Sequence, residues 1–333
     1  MRVVRLPEPG IEKLSLTQEP DLTQPAPGEI LVRIGASSLN FHDLAVVAGH
    51  IPVAANIVPL SDGAGTIVAV GEGVSEFKAG DRVVSTFFPG WSDGPVPRTM
   101  PKTIPGDNGD GFARDLVSAP AHGFTLAPQG YSDVEAATIT CAGVTAWRCL
   151  VPAGQIKAGD TVLVMGSGGV SIYALQIAKA MGARVIATSS SDEKLARMVE
   201  LGADEIINYR EEPKWGSRAK ALSGGGVDIV VEVGGAATMA QSIEATRNGG
   251  TISLIGVLAG VQGPVPTARI FTKQVNIAGI SVGSRQHQRD LVRALETTGI
   301  RPIIGNRFPL EALQEAFAMQ AAGGHFGKIG IEF

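Results

Sequence analysis

The sequence predicts a two-domain α/β protein, with a β-rich domain and a doubly wound parallel sheet of six strands. Three observations predict it. From Asp160 onward, short apolar runs alternate with longer segments of helical period. A glycine-rich turn joins the first of those runs to the first helical segment. Before about residue 127 the dominant period is two, the mark of strands with one buried face.

In the first part, "GEILVRIGASSLN" alternates as a strand, and "GAGTIVAVGEGVSEFKAGDRVVS" reads as two strands joined by glycine turns. Residues 91–111, "WSDGPVPRTMPKTIPGDNGDG", hold four Pro and four Gly without a period, so an irregular surface loop is expected. "SDVEAATITCAGVTAWRCL", residues 132–150, opens on Ser-Asp and carries an apolar stripe. It predicts a helix broken near Gly143.

The alternation then runs "TVLVMG", "VSIYALQIAKAMG", "RVIATS", "SDEKLARMVELG", "EIINY", "WGSRAKALS", "VDIVVEV", "TMAQSIEATRNG", "TISLIGV" and "VNIAGISVG". Buried parallel strands are apolar on both faces, as these are. Ser191 or Asp192 caps the second helix. The tail from about residue 285 reads helix, strand, helix and the closing strand "KIGIEF".

The length of 333 residues suits two domains, and 44% hydrophobic against 18% charged residues provides for a packed core. A net charge of −4 without a basic block leaves nucleic-acid binding without its electrostatic footprint. No signal-like h-region follows "MRVVRLPEPG", and no apolar run was expected to span a membrane. The only two cysteines, Cys141 and Cys149, read as reduced thiols. The expectation is a cytoplasmic protein with neither membrane nor nucleic-acid partners.

The sharpest motif is Gly166-Ser167-Gly168-Gly169-Val170-Ser171. It sits where a buried strand turns into a helix. Gly166 allows the tight turn, and Gly168 and Gly169 remove side chains that would block a pyrophosphate. The freed N–H groups and the helix dipole then face the phosphates. Ser171 replaces the usual third glycine and is small enough for close packing. The context, a βα turn inside a six-strand series, makes this a dinucleotide site of Rossmann type.

An NAD site ordinarily ends its second strand in a carboxylate for the ribose hydroxyls. Here Ser189 and Ser190 stand at that tip, with Lys194 one turn into the helix and Tyr209 after the next strand. Hydroxyls and a cation suit a 2′-phosphate, so NADP(H) is the expected cofactor. Asp192 and Glu193 count against it, and Asp192 is assigned to capping.

"SLNFHDL", residues 38–44, crowds Asn40, His42 and Asp43 together. From residue types alone it is a metal site, a proton-handling site or a polar turn.

"SLNFHDL", "PLSDGAGTIVAVGEGVSEFKAGDRVV", "CAGVTAW", the glycine motif with its flanks and "HFGKIGIEF" together resemble the medium-chain dehydrogenase/reductase superfamily. The resemblance covers essentially the whole chain. It implies a GroES-like catalytic domain, residues 1–127 and 285–333, and a Rossmann domain, residues 128–284. Zinc-dependent members carry a cysteine where Asn40 stands and Gly-His-Glu where Leu60-Ser61-Asp62 stands. Cys141 alone matches a ligand position, and a catalytic zinc needs three protein ligands. The residues therefore resemble the zinc-independent, quinone oxidoreductase-like branch, whose members transfer hydride from NADPH to quinones or enones.

The same resemblance implies roles for single residues. Asn40 faces the substrate oxygen or ties its loop, His42 supplies a proton or is structural, and Asp43 fixes the turn. Thr145 lies beside the nicotinamide ribose, Ile255, Gly256, Ile280 and Val282 beside the carboxamide, and Gly234 and Gly235 near the adenosine. His325 and Lys328 approach the cofactor. Phe87, Phe88 and Trp91 either wall the substrate pocket or pack the core. A homodimer paired through "VNIAGISVGS" is the expected assembly. Reduction of a quinone or enone is the leading reaction, with alcohol or aldehyde dehydrogenation of a carbonyl as the alternative, and a non-catalytic NADPH-binding role as a third.

Overall fold

The computed structural model describes residues 1–100 and 103–333. The chain forms two compact units, Met1–Val144 with Gly283–Phe333, and Thr145–Val282. The first boundary lies after residue 127 because the intervening segment packs into the first unit. Asp133 pairs with Arg82 and crowds Gly35, and Val134 seats against Gly330.

In the second unit six parallel strands run in the spatial order Glu205–Asn208, Arg184–Ser189, Thr161–Met165, Val227–Glu232, Thr246–Leu254 and Asn276–Gly279. The strand order reverses between Thr161–Met165 and Val227–Glu232. Ligands of such sheets bind at that point, beyond the carboxyl ends of the strands. The expected helix over "TMAQSIEATRNG" is shorter, Met239–Ala245, and the chain is already in the next strand at Thr246. The backbone of Thr246 turns extended, and a register irregularity near Val227 accommodates the glycine pair that follows.

In the first unit the ten-residue strand Glu29–Ser38 is the organiser. It pairs antiparallel with Ala64–Val70, with Leu116–Pro120 and with the closing strand Lys328–Glu332. Val32, Ile34, Ile67, Val83, Phe112 and Phe124 fill one side of the sheet. The segment 91–111 is irregular over its described residues, and Pro101 and Lys102 of that expected loop lie outside them. Its start is anchored where Trp91 and Ser92 carbonyls accept from the N–H groups of Arg285 and Gln286.

The run Asp133–Ala153 is helical throughout but alternates α and π turns, with π turns at Ile139–Gly143 and Cys149–Ala153. The break expected at Gly143 is thus a change of helical type, which Pro152 repeats farther on. Contrary to the sequence reading, this run is long and apolar enough to cross a membrane, but 72% of its most apolar window is buried inside the fold. That burial is what a core helix requires. The two cysteines on it are unbridged, and burial pushes the Cys149 thiol up, out of thiolate chemistry.

Candidate active site

Three strand ends of one sheet build a buried polar cluster in the first unit. Gly330 pairs with Ser38, so the same register places Lys328 opposite Asn40. Ala64 pairs with Ala36, which places Asp62 opposite Ser38 on the other side. The contacts follow. The Lys328 ammonium donates to Asn40 Oδ1 at 2.5 Å and to the Leu39 carbonyl at 2.6 Å, and lies 3.4 Å from Asp62 Oδ2. Ser38 Oγ donates to Asp62 Oδ2 at 2.5 Å. Lys328, Asp62 and Asn40 are 3%, 0% and 7% exposed.

Asn40 also begins the helix Phe41–Val47, whose third residue Asp43 accepts from the Asn40 N–H at 2.9 Å. The other oxygen of Asp43 accepts from the Ser61 N–H at 2.9 Å. Asp43 therefore ties two loops together, as expected of a residue that fixes the turn. Asn40 Nδ2 donates to Ser61 Oγ over 3.3 Å. Since Oδ1 receives Lys328, the amide is oriented with its donor end away from the ammonium.

Leu60 completes the turn at φ +78°, fully buried. A left-handed leucine is rare, and glycines make room for it. A Cβ at Gly111 would lie 2.2 Å from the Leu60 carbonyl oxygen, and one at Gly106 2.8 Å from its nitrogen.

Burial pushes the Asp62 carboxyl up to about 6, Lys328 opposes that rise, and Asp43 adds to it. Asp62 Oδ1 has no hydrogen-bond partner. A carboxyl raised in the folded state stabilises folding fully below its unfolded value and loses that contribution as pH climbs through its folded value. Between pH 4 and 7 the group should remove about 3 kcal/mol of stability. Urea titrations across that range should therefore show a shallower pH dependence in Asp62→Asn than in the wild type. Parallel profiles would show that Asp62 titrates at an ordinary value.

His42 stands edge-on to Phe87, ring centroids 5.1 Å apart. Its Nε2 lies 3.6 Å from Asp107 Oδ2, within ion-pair reach but too long for a hydrogen bond. Asp107 comes from the irregular loop, and no local pattern marked it. Phe87, Phe88 and Trp91 are buried at 4%, 3% and 2% and touch in series, ending on His287. Their contacts are those of packing residues. His287, without an assigned role in the sequence, accepts the Ser284 N–H on Nδ1 and so closes the helix cap of Arg285–Thr298.

In the second unit the glycine motif joins the strand Thr161–Met165 to the helix Gly169–Ala180. Gly166 has φ +74°, and its N–H binds the Thr188 carbonyl. Gly168 caps the helix Gly169–Ala180 without any side-chain bond, and a Cβ built on it meets nothing within 4 Å. The first N–H groups of the helix, from Gly169 and Val170 onward, have no intrahelical partner by geometry. Ser167 is buried. Ser171 Oγ donates to the Met165 carbonyl at 2.7 Å, so the serine that replaces glycine closes onto its own strand. These features fit a dinucleotide pyrophosphate.

At the second strand's tip Ser189 is buried and its Oγ accepts from the Ser191 N–H, while Ser190 and Lys194 are half-buried and Tyr209 is 42% exposed. Ser191, not Asp192, is the cap: its Oγ accepts from the Lys194 N–H. Asp192 accepts instead from Asn208 Nδ2.

The loop after the neighbouring strand is organised by Glu232, which sequence reasoning missed. Its buried carboxylate accepts from the Gly234 and Gly235 N–H groups at 2.7 and 3.0 Å and from Thr238 and Ser242. A Cβ at Gly256 would meet the Val233 carbonyl at 2.3 Å, so that glycine is needed for close approach. Thr145, Ile280 and Val282 are buried and Ile255 half-buried. Val282 has φ +44°, and Arg148 donates to its carbonyl and to that of Ser281. Lys328, expected at the cofactor, is enclosed in the first unit by the three oxygens described above.

Comparison with known proteins adds the family. Residues 26–129 match the "alcohol dehydrogenase GroES-like domain" model and residues 169–297 the "zinc-binding dehydrogenase" model. A "zinc-type alcohol dehydrogenase-like protein" of Schizosaccharomyces pombe is 42% identical over 92% of this chain and 91% of its own. The chain belongs to the medium-chain dehydrogenase/reductase superfamily. It is an oxidoreductase of that superfamily, with its GroES-like and Rossmann-like domains. The human "quinone oxidoreductase" is 28% identical over 95% of this chain and 92% of its own. Among superfamily members of known structure, an NAD-dependent alcohol dehydrogenase is 36% identical, with a TM-score of 0.92 and both chains covered fully. A mycobacterial protein complexed with NADPH is 28% identical, with a TM-score of 0.83 and both chains covered fully.

Proposed function

We propose that this superfamily member is an NADPH-dependent, zinc-free reductase that transfers hydride to a quinone or an α,β-unsaturated carbonyl. The buried Lys328–Asn40–Asp62 cluster carries the reading. It offers an oriented amide donor with a fixed positive charge behind it, and no set of soft metal ligands. Among the described residues no group of three or more His, Cys, Asp or Glu could hold a metal ion.

Bound at the glycine cradle, NADPH supplies the hydride. The chain does the rest by placement and electrostatics. The first N–H groups of the helix Gly169–Ala180 would hold the pyrophosphate, and Gly168 would leave it space. Ser190, Lys194 and Tyr209 would receive the 2′-phosphate, and the Val282 backbone, fixed by Arg148, would face the carboxamide. Negative charge arising on the acceptor oxygen is met by the Asn40 amide, preorganised by Lys328. Quinones and enones need little more, because they are electrophilic before they bind.

One observation favours carbonyl chemistry as a second reading. His42 Nε2 has no hydrogen-bond partner and stands near Asp107, an arrangement able to carry the proton that alcohol oxidation must remove. A panel of 1,4-quinones, enones and simple aldehydes, followed by NADPH absorbance, separates the two. Turnover confined to aldehydes would reject the leading reading. Binding of NADPH with no turnover on any acceptor would favour a non-catalytic role.

For the cofactor, Lys194→Ala is expected to raise the KM for NADPH by roughly tenfold or more, the loss of one charge-assisted bond, with little change for NADH. Equal changes for both cofactors would reject the 2′-phosphate contact. The proposal extends to a cytoplasmic homodimer paired through the edge strand Asn276–Gly279, where Ile277 is 38% exposed. Light scattering showing a monomer would reject that pairing.

A further inference from the structure

We infer that the Lys328 ammonium is the resident cation of this site: it excludes zinc and holds the Asn40 amide in its working orientation. The inference deepens the zinc-free reading above and rests on it. A zinc ion is what the description of the matching family model implies, and the residues here do not fit one. Position 40 offers an amide oxygen already 2.5 Å from Lys328 Nζ, and the nearest carboxylate, Asp62, lies 3.4 Å from the same nitrogen. A divalent ion bonded to either oxygen would be pressed against a buried ammonium of like sign. Neither charge could be relieved by solvent, because Lys328 is 3% and Asp62 0% exposed.

Lys328 is also not held there by one contact alone. The Leu39 carbonyl and Asn40 Oδ1 accept two of its three protons at 2.6 and 2.5 Å, and Asp62 supplies the countercharge. The backbone holds the lysine in place as well, since the Leu39 N–H binds the Ile329 carbonyl at 3.0 Å. The lysine is therefore a positioning residue for Asn40. It turns the amide so that Nδ2, the donor, faces away from the ammonium, and it places a full charge behind that donor.

The test uses the intact protein, with Lys328→Arg, Lys328→Met and the double variant Lys328→Met/Asp62→Asn. Each is incubated with zinc sulfate, gel-filtered and analysed for bound metal. Thermal midpoints are recorded, and NADPH oxidation by a 1,4-quinone is followed. The wild type is expected to retain no stoichiometric zinc. Lys328→Met should lose at least about tenfold in kcat while its KM for NADPH changes little, and Lys328→Arg should recover part of the loss. The double variant should melt above Lys328→Met, because it no longer buries a carboxylate without a countercharge.

One zinc per chain in the wild type would overturn the inference. So would a folded Lys328→Met with unchanged kcat, or one whose defect lies in the KM for NADPH, which would return Lys328 to the cofactor. A double variant no more stable than Lys328→Met would remove the proposed countercharge. If the wild type turns over no quinone, the substrate reading fails, while zinc content and the melting comparison still decide the resident cation.

Discussion

Asn40→Ala is expected to lower kcat with a quinone or enone acceptor by about 100-fold, the usual loss when one preorganised donor to a developing oxyanion is removed. The structure adds a second effect that residue type alone does not suggest. Asn40 Oδ1 accepts from Lys328, so the alanine leaves a buried ammonium short of one acceptor. A stability loss of about 1–3 kcal/mol should accompany the kinetic one. The two are separable, since stability is read from urea unfolding and kcat from protein that is fully folded at the assay temperature. A variant with the stability loss but normal kcat per folded molecule would make Asn40 a structural amide.

Gly168→Val is expected to raise the KM for NADPH roughly 10–100-fold, as a side chain takes the space of a phosphate and its backbone bonds are lost. Folding should be nearly untouched. Gly168 has φ −78° and ψ −179°, extended values that a β-branched residue adopts readily. A Cβ there meets no atom within 4 Å. Few glycine substitutions separate a binding role from a folding role so cleanly. At Gly256 the same change would drive a Cβ into the Val233 carbonyl and report only on packing. Stopped-flow binding of NADPH and a melting curve check the prediction. A lowered midpoint with unchanged affinity would show that the glycine serves the turn and not the ligand.

The polar cluster of the first unit and the glycine turn of the second were unequally legible in the sequence. Gly166 to Ser171 could be read because a phosphate cradle is a local device: a strand end, a turn and a helix start within six residues. Asp43 is read through the family resemblance, and the structure shows that its contact is local, a cap on a turn three residues away. Ser191 and Asp192 compete for one cap, and residue type does not choose between them. Glu232 was missed because a lone glutamate at a strand end has no local signature until the turn beyond it folds back.

The sequence by itself determined the six parallel strands, their alternation with helices and the glycine turn at the first of them, because hydrophobic period and glycine conformation act within one element. Only the tertiary structure decided what surrounds Asn40. Lys328 is 288 residues away and Asp62 22 residues away in the chain, and they meet at Asn40 because three strands share one hydrogen-bond register. Register is a property of pairs of strands, and a shift of one residue would turn Lys328 to the opposite face. A lysine at the start of the last strand therefore reads equally well as a cofactor contact or as a buried cation until the sheet closes around it.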